Sequence, residues 1–181
     1  MKHIRKLYEQ LGVDKYYRQY GDEYQNPHVG QVQELLVNNE KHIDYSQVLD
    51  FCAGGGEVSW ILKELSYTSI TGSDPFTHKL YTKNLGQPCA KWTFDDVIKG
   101  KLKGQYSAIV CSFAMHLCPP ERLYPLMLQL FQCSPTLVIL TPHKRPALEE
   151  LEGVELSHVD YALTAKGKKV FLKIYKLSYN M

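Results

Sequence analysis

Apolar and polar positions along this chain switch repeatedly between the spacing of a helix and that of a strand. Residues 3 to 25 read as one or two short helices dense in tyrosine (Tyr8, Tyr16, Tyr17, Tyr20, Tyr24). Asn26 is placed to cap a helix opened by Pro27 and carrying Val29, Val32, Leu35 and Leu36 as far as Asn38-Asn39. An apolar run, Gln47 to Phe51, then predicts a strand, which turns through Gly54-Gly55-Gly56 into a helix reaching about Leu65. Ser69 to Ser73 predicts a second strand stopped by Asp74-Pro75, followed by a helix from Thr77 to Leu85 closed by Gly86. Cys89 to Thr93 reads as a third strand, with a short helix opened by Phe94-Asp95-Asp96-Val97-Ile98. Gln105 to Ser112 is the most apolar run, as a central strand covered on both faces requires. The next helix signal is Pro119-Pro120-Glu121-Arg122, with Leu123, Leu126, Met127, Leu130 and Phe131 on one stripe; Pro125 argues for a start at Tyr124. Pro135 to Thr141 predicts a fifth strand.

The last stretch differs in kind. Val154 to Leu163 and Lys168 to Leu177 are extended runs about Lys166-Gly167, the pattern of an antiparallel pair. The whole reads as an α/β protein, parallel βα units closed by a hairpin, in one domain over residues 1–181: a helical extension or lid over 1–44 and a core over 45–178. In such sheets a ligand binds beyond the carboxyl ends of the strands. Those ends carry Asp50, Asp74, Asp95 with Asp96, and Ser112 to His116. Four polar clusters at four consecutive strand ends are a more specific signal than the glycines alone.

The order Asp50-x-x-x-Gly54-x-Gly56 between strand and helix resembles motif I of the class I S-adenosylmethionine-dependent methyltransferases. The resemblance spans roughly residues 45 to 178 and implies a Rossmann-like, seven-stranded, mostly parallel sheet of order 3-2-1-4-5-7-6, with helices on both faces and a C-terminal antiparallel hairpin. It implies S-adenosylmethionine as cofactor and S-adenosylhomocysteine as product. It also implies roles. Asp50 and the backbone from Cys52 through Ala53 to Gly54 would face the methionine part, with Gly54 and Gly56 letting the chain approach the ligand. Asp74, followed by Pro75, would take the ribose hydroxyls, and Phe76 would flank the adenine. Either Asp95 or Asp96 would take the adenine amino group, with the amide of Phe94 or Asp96 helping, and Ser112 opens the fourth strand's loop. The family's Asp/Asn-Pro-Pro-Phe/Tyr motif would fall where this chain reads Ser112-Phe113-Ala114-Met115, which disfavours methylation of an adenine-type amino group.

Methyl transfer from a sulfonium needs a base only where the nucleophile, an O, N or S atom, arrives protonated. His116 and His143, after strands four and five, are the candidates. Lys144 and Arg145, between Pro142 and Pro146, suit an anionic acceptor, and Tyr20 and Tyr24 suit a lid over the site. The acceptor is left as a small anionic molecule or RNA. Two other readings stay open. One is a silent methyltransferase-like subunit that scaffolds a complex. The other is an NAD(P)-dependent oxidoreductase, whose G-x-G-x-x-G pattern fails at Ser59.

Composition narrows little further. A net charge of +2 and a pI near 8.2 do not call for nucleic acid, although Lys2, Arg5, Lys6, Lys15 and Arg18 crowd one end and Lys166, Lys168, Lys169, Lys173 and Lys176 the other. The five cysteines form no Cys-x-x-Cys pair, and Cys111, His116 and Cys118 match no zinc spacing, so no metal is expected. Scattered thiols, no secretory signal and no apolar run near the ~20 residues of a membrane span point to a cytoplasmic, reducing setting.

Overall fold

The structure is a computed structural model that describes residues 25–178. In chain order the elements are α1 (Val29–Asn38), β1 (Val48–Phe51), α2 (Glu57–Glu64), β2 (Ile70–Ser73), α3 (His78–Leu85), β3 (Cys89–Ala90), α4 (Phe94–Ile98), β4 (Ala108–Ser112), α5 (Pro120–Cys133), β5 (Leu137–Thr141), β6 (Val154–Leu163) and β7 (Lys169–Leu177). The strands form one seven-stranded sheet of order β3-β2-β1-β4-β5-β7-β6. Neighbours from β3 to β5 pair in parallel, and β7 pairs antiparallel with both β5 and β6. All five residues of β5 and all four of β1 are buried, because helices cover both faces of these strands.

Alternation along the strands divides the core into two layers. Leu49, Ile109, Cys111, Leu137 and Ile139 face α4 and α5, where Val97, Leu126, Met127 and Leu130 meet them. Val48, Val110, Val138 and Leu140 face the opposite way, against Val32, Leu35 and Leu36 of α1 and Ile61 and Leu62 of α2. Thus α1, within the stretch assigned from sequence to an N-terminal extension, is part of the packing on the sheet.

Several boundaries differ from the sequence reading. Helix α1 opens at Val29 rather than Pro27, because the Asn26 carboxamide is used one step earlier, accepting the His28 N–H at 2.9 Å. β3 is two residues long, since Thr93 has already left the sheet to cap α4. Helix α5 begins at Pro120 and runs through Pro125. The missing N–H falls near the helix start, and the buried stripe from Leu123 to Phe131 holds the helix in spite of it. No helix among the described residues is long and apolar enough to cross a membrane. Tyr20, Tyr24 and the basic N-terminal stretch lie outside the described residues.

Candidate active site at the carboxyl ends of the parallel strands

The turn after β1 is built from unusual backbone. Cys52 and Gly54 both take left-handed φ values of 58°, and the Ala53 N–H donates to the Ser73 carbonyl at 3.0 Å. Asp74 fixes the turn from the end of β2. Its Oδ2 accepts the Gly54 N–H at 3.1 Å, and its Oδ1 accepts those of Phe76 and Thr77 at 2.9 and 2.8 Å. The Thr77 hydroxyl closes the link by donating to the Gly54 carbonyl at 2.8 Å. A carboxylate has about four acceptor sites, so Asp74 keeps capacity toward the space beside it.

That space is a cavity of about 430 Å³, within the range of small-molecule sites. The loops after β1, β2, β3 and β4 all contribute to its wall. Of the residues singled out from sequence, Cys52, Gly54, Asp74, Pro75, Phe76, Phe94, Asp95 and Ser112 line it. The Ser112 Oγ is buried without a hydrogen-bond partner among the described residues. Phe113, within the Ser112 to His116 stretch expected at this strand end, also lines the cavity, as do Trp92 and Arg122, which were not anticipated. Phe113 takes φ 58°, which no sequence signal announces in a non-glycine residue, and its ring stacks on that of His28 with centroids 5.2 Å apart. Arg122 reaches from the first turn of α5 to ion-pair with Asp95.

Other assignments are corrected. Asp50 does not face the cavity: it is fully buried beneath the turn, where its Oδ2 accepts the Ser59 N–H at 3.1 Å and the Ser59 hydroxyl at 2.6 Å. Burial pushes its carboxyl up to about 8. Ala53 is buried and outside the cavity wall. Gly56 serves packing rather than ligand approach, since a Cβ there would lie 2.5 Å from Leu85 of α3, and its φ is 91°. Gly56 lines a different cavity, of about 400 Å³, with Glu57, Trp60 and Asn84. Of Asp95 and Asp96, only Asp95 lines the cavity. Asp96 is engaged in a capping box with Thr93 and in an ion pair with Lys101 at 2.6 Å, which draws its carboxyl down to about 2.

His116 and His143 lie outside the wall of the cavity, on the loops after β4 and β5, with ring centroids 4.3 Å apart. Burial, aided by the neighbouring His143, pushes His116 down to about 4, so its imidazole is neutral at pH 7. Its Nδ1 is buried with no hydrogen-bond partner among the described residues. Lys144 and Arg145 are exposed beyond His143, away from the cavity wall, and Arg145 pairs with Glu150 at 3.8 Å. The neighbouring Cys111 thiol and burial hold the Cys52 thiol well above its usual range, so it sits in the wall as a neutral group.

This strand order, with its closing antiparallel hairpin and its cavity at the switch between β1 and β4, defines the class I S-adenosylmethionine-dependent methyltransferase fold. The chain superposes on magnesium protoporphyrin IX methyltransferase from Synechocystis with bound S-adenosylmethionine, at 18% identity and TM-score 0.60, covering 98% of this chain and 96% of that one. It superposes likewise on the N-methyltransferase NodS from Bradyrhizobium japonicum with bound S-adenosylhomocysteine, at 12% identity and TM-score 0.63, covering 96% and 97%. The chain belongs to the family of the uncharacterized protein C17A5.05c of Schizosaccharomyces pombe, to which it is 31% identical over 87% of its own length and 81% of the yeast protein's. No family model matches the chain.

Proposed function

We propose that this chain is an S-adenosylmethionine-dependent methyltransferase, with the cofactor in the cavity at the ends of β1 to β4 and the acceptor beside His116 and His143. The observation that carries the reading is the convergence of four strand-end loops on one cavity lined by Asp74, Phe76, Trp92, Phe94 and Ser112, whose hydroxyl has no partner among the described residues. The donor set fits the cofactor. The aromatic rings suit a flat adenine, Asp74 suits a pair of ribose hydroxyls, and the backbone from Cys52 to Gly54 suits the amino-acid end. That solved proteins of this fold hold S-adenosylmethionine or S-adenosylhomocysteine supports the same choice.

The cofactor supplies, when bound, a methyl group on a cationic sulfur. Positioning is then the main task of the chain, and the rigid ends of four adjacent strands are suited to it. His116 and His143, whose rings lie 4.3 Å apart beside the cavity, are the candidates to accept the proton of an O–H or N–H nucleophile. Lys144 and Arg145 favour an anionic acceptor, a small molecule or RNA, arriving from the β5 side.

The test is transfer of a radiolabelled methyl group from S-adenosylmethionine to the small-molecule and RNA fractions of a cell extract, each at several salt concentrations. Label in a small-molecule fraction with a weak salt effect identifies a small acceptor, whereas label in RNA that falls steeply with salt identifies a phosphate-backbone partner. His116→Gln and His143→Gln should retain cofactor binding while slowing transfer by about a hundredfold for the residue that acts as base. Cofactor binding with no label in any fraction would replace the enzyme by a silent subunit.

A further inference from the structure

Arg122 stands where local physics does not favour it. Its N–H donates to the Pro119 carbonyl at 2.9 Å, in the first turn of α5, where the helix dipole opposes a cation. Its guanidinium is paired with Oδ1 of Asp95, and the two side chains are each 47% exposed. An ion pair so open to solvent contributes little to stability. What the two residues share is the wall of the cavity, which Trp92 and Phe94 also line.

The surroundings hold this end of the cavity in place. Phe94 packs on the core, with its ring centroid 6.0 Å from that of Phe51. The Thr93 hydroxyl accepts the Asp96 N–H at 3.1 Å, and Asp96 in turn accepts the Thr93 N–H at 3.1 Å, so the start of α4 is fixed. Arg122 binds one oxygen of Asp95, whereas a carboxylate has about four acceptor sites, so Asp95 can still accept a bond from a ligand. A planar ring with an amino group at its edge matches this arrangement, with aromatic side chains for its faces and a fixed acceptor for its N–H. A carbonyl at that edge would set oxygen against carboxylate. We propose that Arg122 is a positioning residue for the base of the cofactor. By holding Oδ1 of Asp95 it presents the carboxylate to an exocyclic amino group and makes the cavity selective for an aminopurine. This rests on the reading of the cavity as the S-adenosylmethionine site.

Calorimetric titration with S-adenosylhomocysteine and with its desamino analogue, in which hydrogen replaces the adenine amino group, tests this. The natural protein should bind S-adenosylhomocysteine about tenfold or more tightly than the analogue. Arg122→Met should keep the far-ultraviolet circular dichroism of the fold, weaken S-adenosylhomocysteine by about fivefold, and leave the analogue within about twofold. Arg122→Lys keeps the charge without the planar fork and should recover part of the ratio. In Asp95→Ala the ratio should fall to about one, and adding Arg122→Met should lower it no further. Equal weakening of both ligands by Arg122→Met would overturn the proposal in favour of a merely structural role. A larger ratio in Arg122→Met would overturn it by making Arg122 a competitor of the amino group for Asp95. Equal binding of the two ligands by the natural protein would overturn the selectivity itself. Failure to bind either ligand would overturn the reading of the cavity along with the proposal. S-adenosylhomocysteine bound normally, weakened by Asp74→Asn and indifferent to Arg122→Met, would overturn the proposal alone.

Discussion

Asp50 shows how one acid in a glycine-turn motif can serve the fold instead of the ligand. Its carboxyl sits fully buried on Ser59, whose hydroxyl also lies 2.9 Å from that of Tyr81, and Oδ1 has no hydrogen-bond partner among the described residues. Burial, with smaller contributions from the charges of Glu57 and Asp74, raises its folded-state value from 3.8 to about 8. The protonated form is thus favoured on folding. The stability contributed in this way is complete below about pH 4 and is lost as the pH rises through about 8. Asp50→Asn has the shape of the protonated acid and does not titrate. Its melting temperature relative to the natural sequence should therefore climb between pH 6 and pH 9. A constant difference across that range would show that Asp50 is ionised in the folded protein.

At the scale of elements, the close fit of α3 beneath the glycine turn sets what the sequence can vary. A Cβ at Gly72 would lie 2.5 Å from the Tyr81 hydroxyl, within the space of a side chain that is completely buried. Gly72→Ala should destabilise the protein by about 1–3 kcal/mol in denaturant unfolding. Adding Tyr81→Leu should recover part of that loss, so the double variant falls short of the sum by about 1 kcal/mol or more. Strict additivity would mean that the two sites do not touch. Gly72 was read from sequence only as a residue of a short strand. Its reason lies in a ring nine positions later, and such a contact has no local signal. Pro125 shows the converse, since its local signal was clear but the buried stripe from Leu123 to Phe131 overrode it. The third strand was overestimated for a related reason: Trp92 and Thr93 carry strand-like side chains, but both line the cavity and Thr93 also caps α4.

Across the whole molecule, the parallel βα units and the closing hairpin were legible in switches of hydrophobic period and in turn residues, whereas the strand order was implied by the motif I resemblance. The candidate site was legible in outline. Residues at strand ends are positioned by the sheet, so Asp74, Phe76, Phe94, Asp95 and Ser112 reach one cavity. What remained hidden depends on side-chain direction or on distant partners. Asp50 turns inward to Ser59, Asp96 turns back on Thr93, Arg122 arrives from α5, and the two histidines face each other beside the cavity.

Asp74 joins these scales, because one carboxylate shapes the turn after β1 and faces the cavity proposed for the cofactor. The decisive measurement is calorimetric titration of S-adenosylmethionine and S-adenosylhomocysteine into the natural protein and into Asp74→Asn, which keeps one acceptor, for the Phe76 and Thr77 amides, but sets an NH2 against the Gly54 N–H and where a ribose hydroxyl would donate. Both ligands should bind the natural protein at one site per chain. Asp74→Asn should bind each at least about tenfold more weakly, with an unfolding midpoint lowered by the loss of the Gly54 contact but the fold retained at about 25 °C. Absence of binding to the natural protein, or equal affinity for the folded variant, would contradict the placement of the cofactor in this cavity.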